Sequence, residues 1–194
     1  QFDVSDPKAL YDALNLGFRI APTAGTDFPC YPAGPPGAQR FYTRVEGELT
    51  YASWLEGVRK GRTFVTNGPL LDLSIEGVDI GGDVELEAPG EVRVVGTVRF
   101  DPERDDVASL ELIEGGEVVY TEEEPSEPGV LRLDITPSVD ASTWFALRAT
   151  GTKIDESKNR SRRNQSSPTW FERATGPATA TWDPPRTVPS VARP

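Results

Sequence analysis

The 194-residue sequence has no histidine, no methionine, a single cysteine and no long apolar run. Without histidine, the commonest general acid/base and the commonest transition-metal ligand are missing. Ser-His-Asp and Cys-His nucleophile sites are therefore excluded, as is any histidine-based zinc site. Without methionine, Gln1 is expected to follow a removed segment, so the chain reads as a fragment. Cys30, alone, cannot build a disulfide framework and leaves the redox compartment open. It reads either as a small, partly buried residue or as a reactive thiol. No stretch of about 18 apolar residues exists to span a bilayer, and any secretory leader would precede Gln1. The compartment stays undetermined, with a secreted or periplasmic setting compatible.

What is present narrows the class further. Twenty Lys and Arg stand against 31 Asp and Glu, a net charge of −11, which speaks against a nucleic-acid partner because phosphate binding needs neutralising cations. Hydrophobic residues make up 37%, enough for a core, and 18 glycines with 18 prolines point to many short elements joined by turns. That combination favours a mainly β architecture.

The first 60 residues read as α/β. Asp6-Pro7 is an N-cap followed by proline at the first helical position, and Leu10, Tyr11, Ala13 and Leu14 recur at helical spacing up to Gly17. An extended run, Phe18 to Thr23, leads into Gly25-Thr26-Asp27, and side chains at strand ends of this kind serve function in β/α units. A Pro/Gly-rich loop covers 29–39, and Arg40 to Val45 reads as a strand. Thr50 caps a second helix with a Tyr51, Trp54, Leu55, Val58 stripe, closed by Gly61.

From Arg62 the period changes to two. Thr63–Thr66 and Leu70–Ile75 flank an Asn67-Gly68-Pro69 turn, where Pro69 weakens the case for a tight hairpin because it lacks a donor. Val92, Val94, Gly96, Val98 and Phe100 alternate. Leu110 and Leu112 run into Gly115-Gly116 and then Val118-Val119-Tyr120, a β-hairpin pattern. Leu131, Leu133 and Ile135 alternate, as do Phe145, Leu147 and Ala149; further strands are expected at Thr169–Glu172 and Ala178–Trp182. The expected organisation is a short α/β segment at 1–61, an immunoglobulin-like antiparallel β-sandwich at 62–183 and a Pro-rich tail at 184–194.

Few residues carry candidate chemistry. Asp27 either binds a cation at a strand end or caps a turn. Arg62 and Asn67 either reach a substrate carboxylate or phosphate, or hold a hinge. The basic run Lys153 to Arg163 either steers anions or is a solvated loop. Glu122-Glu123-Glu124 and Asp105-Asp106 lack apolar surroundings to raise a pKa and read as solubilising charge. No catalytic residue is assigned.

The run Leu14-Asn15-Leu16-Gly17-Phe18-Arg19 with Thr23-Ala24-Gly25-Thr26-Asp27 resembles the closing helix and strand of a metallohydrolase barrel. It is similar to the CehA/McbA family of the polymerase-and-histidinol-phosphatase (PHP) superfamily. The likeness continues through Thr50-Tyr51-x-x-Trp54-Leu55-Glu56-Gly57-Val58-Arg59-x-Gly61-Arg62-Thr63-Phe64-Val65-Thr66-Asn67-Gly68-Pro69. The resemblance implies that 1–61 is the C-terminal remnant of a PHP-type (β/α) barrel, with Asp27 a metal ligand in the intact parent only. It implies a divalent metal there (zinc, manganese or iron), with none expected on this fragment, and hydrolysis of an ester, phosphoester or amide-type bond. Pro29 stands where many members carry a histidine, and Asn164-Gln165-Ser166-Ser167-Pro168 lacks the histidine common in that run. The implied partner is the upstream barrel portion, and an unpartnered half-barrel admits self-association. The alternative is a stand-alone carbohydrate- or protein-binding sandwich using Trp144, Trp170 and Trp182.

Overall fold

The computed structural model describes residues 2–3, 7–26, 28–29, 36–151, 167–168 and 172–175. It begins with β1 (Phe2–Asp3), α1 (Pro7–Asn15) and β2 (Pro22–Thr23). β1 and β2 pair in parallel, Phe2 with Pro22 and Asp3 with Thr23, so α1 is the crossover that parallel pairing requires. Of the extended run expected from Phe18, only Pro22–Thr23 pairs as a strand.

β3 (Arg40–Thr43) is followed by α2 (Tyr51–Arg59) and β4 (Thr63–Thr66). Thr50 caps α2 in a reciprocal box: its Oγ1 accepts from Ser53 N at 3.1 Å, and its own N–H donates to Ser53 Oγ at 2.9 Å. The apolar stripe of α2 is only half covered, with Tyr51 79% and Trp54 37% exposed. The face that packs closest is instead that of Gly57, where a Cβ would lie 2.4 Å from Thr43 Cγ2 and 2.6 Å from the Arg44 carbonyl. Glycine there lets helix and strand backbones approach.

Both helices end alike. Gly17 N–H donates to Leu14 O and Phe18 N–H to Ala13 O; Gly61 N–H donates to Val58 O and Arg62 N–H to Gly57 O. Gly17 and Gly61 have φ of 86° and 72°, so each is the left-handed residue of a Schellman closure.

The remainder is mainly β. After β5 (Leu70–Ile75), β6 (Val78–Asp79), β7 (Asp83–Glu85) and β8 (Gly90–Glu91) come β9 (Val94–Arg99), β10 (Ser109–Glu114) and β11 (Glu117–Glu122). Then follow β12 (Val130–Ile135), β13 (Ser138–Val139), β14 (Thr143–Thr150), β15 (Ser167–Pro168) and β16 (Glu172–Thr175). One sheet runs β12-β9-β5-β6, all antiparallel; the other runs β11-β10-β14-β16-β7, with β15 beside β14 and only the β16–β7 pair parallel. The strand expected at Ala178–Trp182 and the Pro-rich tail lie outside the described residues.

The Asn67-Gly68-Pro69 turn makes no hairpin. β4 pairs with β3, and β5 pairs with β9. Thr66 shapes the turn, its buried hydroxyl donating to Pro69 O and accepting from Gly68 N–H. The glycine hairpin does form: Gly115 and Gly116, at φ of 58° and 103°, link β10 to β11 with Glu114 opposite Glu117.

The two sheets face each other over one core. Leu71, Leu73, Ile75, Val94, Val98, Leu131 and Leu133 come from one sheet, and Leu110, Leu112, Phe145, Leu147 and Ala149 from the other. This is a β-sandwich, and period-two alternation builds it as the pleat requires. β14 departs from that alternation, being buried on both faces from Trp144 to Leu147. Its second face, with Ile113 of β10, is covered by Tyr11 and Leu14 of α1. A nine-residue helix is marginal alone, so α1 depends on this contact.

Gly96 sits at the sandwich centre, in register between Leu73 and Leu133. A Cβ there would lie 2.8 Å from Leu147 Cδ1 and 3.0 Å from Leu133 Cγ, both on fully buried side chains. Gly96→Ala is expected to destabilise by about 1–3 kcal/mol through overpacking, and Leu133→Ala by about 2–5 kcal/mol through a cavity. Urea unfolding should show a lower midpoint with an unchanged slope for both.

Candidate functional site

Asp27 lies outside the described residues, as do Cys30, the basic run Lys153–Arg163, Asn164–Ser166, Trp170 and Trp182. The strand that leads to Asp27 is described. β2 is tied to β4 by Thr63 Oγ1, which donates to the Pro22 carbonyl at 2.8 Å in a buried setting. Beyond it Gly25 faces open space. Among the described residues no three His, Cys, Asp or Glu side chains converge to hold a metal ion.

Arg62 and Asn67 flank β4 at opposite ends, about 16 Å apart at the rise of an extended strand. Arg62 is committed to Glu46, Nη1 to Oε1 at 2.8 Å, with 23% of its side chain exposed. Asn67 is exposed, and its carbonyl accepts from Arg40 Nη1 at 3.5 Å. The two are not brought together on one surface. Glu122 accepts from the Tyr120 hydroxyl at 3.2 Å and from Glu124 N–H at 3.0 Å, local bonds at a strand end.

Trp144 is 7% exposed, with its indole N–H donating to Asn15 Oδ1 at 2.8 Å and its ring 5.2 Å from that of Tyr11. It fastens α1 to the sheet, with little of its ring open to solvent. Beside it, Arg148 Nε donates to Glu111 Oε2 at 2.5 Å, directly across the β10–β14 ladder. The Tyr11 hydroxyl is buried with no hydrogen-bond partner among the described residues. Burial pushes its phenol up, while the nearby Arg148 cation pulls the other way.

A concavity among the described residues opens where the two helix ends meet the sandwich. It is a cleft of about 360 Å³ lined by Leu14 and Asn15 of α1, by residues 17–21, by Arg59, Lys60 and Gly61 at the end of α2, by Gly81, Gly82 and Asp83, and by Ser142 to Trp144. Arg19 crosses it in a bidentate pair with Asp83, at 2.8 and 2.9 Å. Lys60 Nζ lies 3.4 Å from Glu56 Oε1. Sequence reading did not bring Arg19, Arg59, Lys60 and Asp83 together. The signal was the repeated motif of a glycine-terminated helix with flanking cations, but nothing in the spacing says that both ends face one cleft.

No family model, curated protein or solved structure matches the chain. The class defined by the fold is therefore structural: a β-sandwich with an α/β segment docked on it.

The Arg62–Glu46 pair has a titration signature. Hydrogen bonding and charge from Arg62 hold the Glu46 carboxyl below its ordinary value. A depressed carboxylate stabilises the fold at neutral pH, and that contribution is lost as pH falls through the lowered value. Arg62→Ala is expected to move the Glu46 midpoint up towards the ordinary glutamate value of about 4.3, read by carboxyl-carbon NMR titration.

Proposed function

We propose that this chain is the C-terminal part of a PHP-like metal-dependent hydrolase, with residues 1–61 closing a (β/α) barrel and the sandwich packed beside it. The observation that carries the reading is the parallel β1–α1–β2 unit. Parallel pairing through a helical crossover is the building step of such barrels, and β2 runs out into Gly25-Thr26-Asp27 at its C-terminal end, the end where barrel enzymes place their ligands. A second observation agrees. Leu16, Phe28, Leu49 and Tyr51 are each at least 60% exposed, large apolar side chains suited to burial against further barrel elements.

In this reading Asp27 is the one metal ligand the chain contributes, and the rest come from preceding strands. The metal, zinc, manganese or iron, would activate water against an ester, phosphoester or amide-type bond. No further ligand and no catalytic step are assigned to the described residues. Arg62, paired with Glu46, and Asn67, at the far end of β4, support a role in the seam between the two parts more than direct contact with substrate. The immunoglobulin-like strand arrangement is part of the same proposal. The binding-module reading loses Trp144, which is buried against α1.

In the intact protein, Asp27→Asn is expected to lower tightly bound metal and hydrolysis of p-nitrophenyl phosphate or ester substrates by about tenfold or more. Metal content by mass spectrometry and initial rates check this. Titrated alone by calorimetry, the 194-residue chain should show no submicromolar zinc or manganese site. A submicromolar site on the chain alone, or an Asp27→Asn protein with full metal content, would sink the proposal.

A further inference from the structure

The cleft between the two helix ends has a charge pattern that the barrel reading does not use. Four charged side chains line it: Arg19, Arg59, Lys60 and Asp83. Arg19 and Asp83 neutralise each other in a bidentate pair, and Lys60 is partly offset by Glu56. The Arg59 side chain makes no hydrogen bond or ion pair among the described residues. The cleft therefore has about one spare positive charge, on a chain whose net charge is −11.

Its other walls are mixed. Leu14, Phe18, Ile20 and Ala21 supply hydrocarbon, Asn15, Ser142 and Thr143 supply neutral polar groups, and Phe18 is 60% exposed. Gly61, Gly81 and Gly82 leave the floor without side chains. A Cβ at Gly81 would lie 2.4 Å from the Lys60 carbonyl and 2.9 Å from Arg62 N, so the two turns meet backbone to backbone. A volume of about 360 Å³ falls at the lower end of the range for small-molecule sites.

We propose that this cleft binds a small organic carboxylate, with Arg59 holding the anionic group and Phe18 and Ile20 flanking its apolar body. The planar guanidinium matches a carboxylate in two parallel bonds. Phosphate is the poorer fit. Phosphate sites use helix N-termini, whereas both helices here present C-terminal ends, and one spare cation balances a monoanion rather than a dianion. The C-terminal ends also oppose a carboxylate, but the carbonyls of Ala13, Leu14, Gly57 and Val58 are engaged in the Schellman bonds, and the full formal charge of Arg59 outweighs the partial charge that remains. Repulsion from the acidic remainder of the chain is screened within a Debye length of about 8 Å, which leaves contact charge in control.

Heteronuclear NMR titration of the 194-residue chain with benzoate, acetate, phenyl phosphate and benzylamine tests the proposal. Benzoate is expected to saturate below about 10 mM, with shifts centred on the amides of Gly61, Gly81 and Gly82, and acetate to bind about tenfold more weakly. Arg59→Ala, at an exposed position, should weaken benzoate by about tenfold, and Phe18→Ala should weaken it while leaving acetate unchanged. Arg132→Ala, an exposed cation on the sandwich, should change nothing. Absence of saturation, an unchanged Arg59→Ala affinity, or tighter binding of phenyl phosphate or benzylamine than of benzoate would overturn it.

Discussion

The contact between α1 and the outer face of β14 organises the molecule. β14 has a core on each side: Phe145, Leu147 and Ala149 face the opposite sheet, while Trp144 and Ala146 face the helix. A strand buried on both faces cannot alternate apolar with polar residues, and TWFALRAT does not. The helix in turn grips the hairpin beside it, because Asn15 donates to the Gly115 carbonyl at 2.9 Å while accepting from the Trp144 indole. Burial of side chains the size of Trp and Leu contributes about 1.5–3 kcal/mol each, more than the hydrogen bonds that orient them. Loss of this contact would leave Trp144 and Ile113 facing water and α1 without a partner, so helix, hairpin and cleft depend on it together.

Charged pairs add orientation more than energy. Arg19–Asp83 and Arg44–Asp79, each at 2.8 Å, join the α/β segment to the sandwich, but both are exposed, and such pairs contribute about 0–1 kcal/mol. Their value lies in direction. The Arg19 fork fixes the connector after α1 against the β6–β7 turn, which gives the cleft its width. The edge strand β11 is guarded differently. Its pairing with β10 shifts register so that Val119 is an extra residue, and Glu117 and Glu122 stand at its two ends. A bulge and like charges at an edge both work against pairing with another chain.

Local chemistry was the legible part. Thr50 with Ser53 closes a helix start, Gly17 and Gly61 close helix ends, and Gly115-Gly116 closes a hairpin, because each of these depends on residues within a few positions of one another. Alternation in Leu71–Leu73–Ile75, Val94–Val98 and Leu131–Leu133 marked the core faces for the same reason. The partner of β4 was not legible. Thr63–Thr66 reads equally well as the first arm of a hairpin, and it is the Thr66 hydroxyl bridging the Asn67–Pro69 turn, with β3 alongside, that sends the chain to the other sheet. The grouping of Arg19, Arg59, Lys60 and Asp83 was also hidden, since these residues span more than 60 positions and meet only where two helix ends converge on a glycine turn.

By itself the sequence determined the mainly β class, the two helices with their glycine stops and the Thr50 cap of the second, and the exclusion of histidine chemistry, because composition, periodicity and capping are short-range properties. Tertiary structure alone decided that α1 is a crossover between parallel strands, that β14 carries two cores, and that two helix C-termini and a glycine turn enclose one spare arginine. Those outcomes follow from which surfaces find each other in space. The free energy of such contacts depends on matched shapes and burial between residues far apart in the chain, a property that no local window of sequence contains.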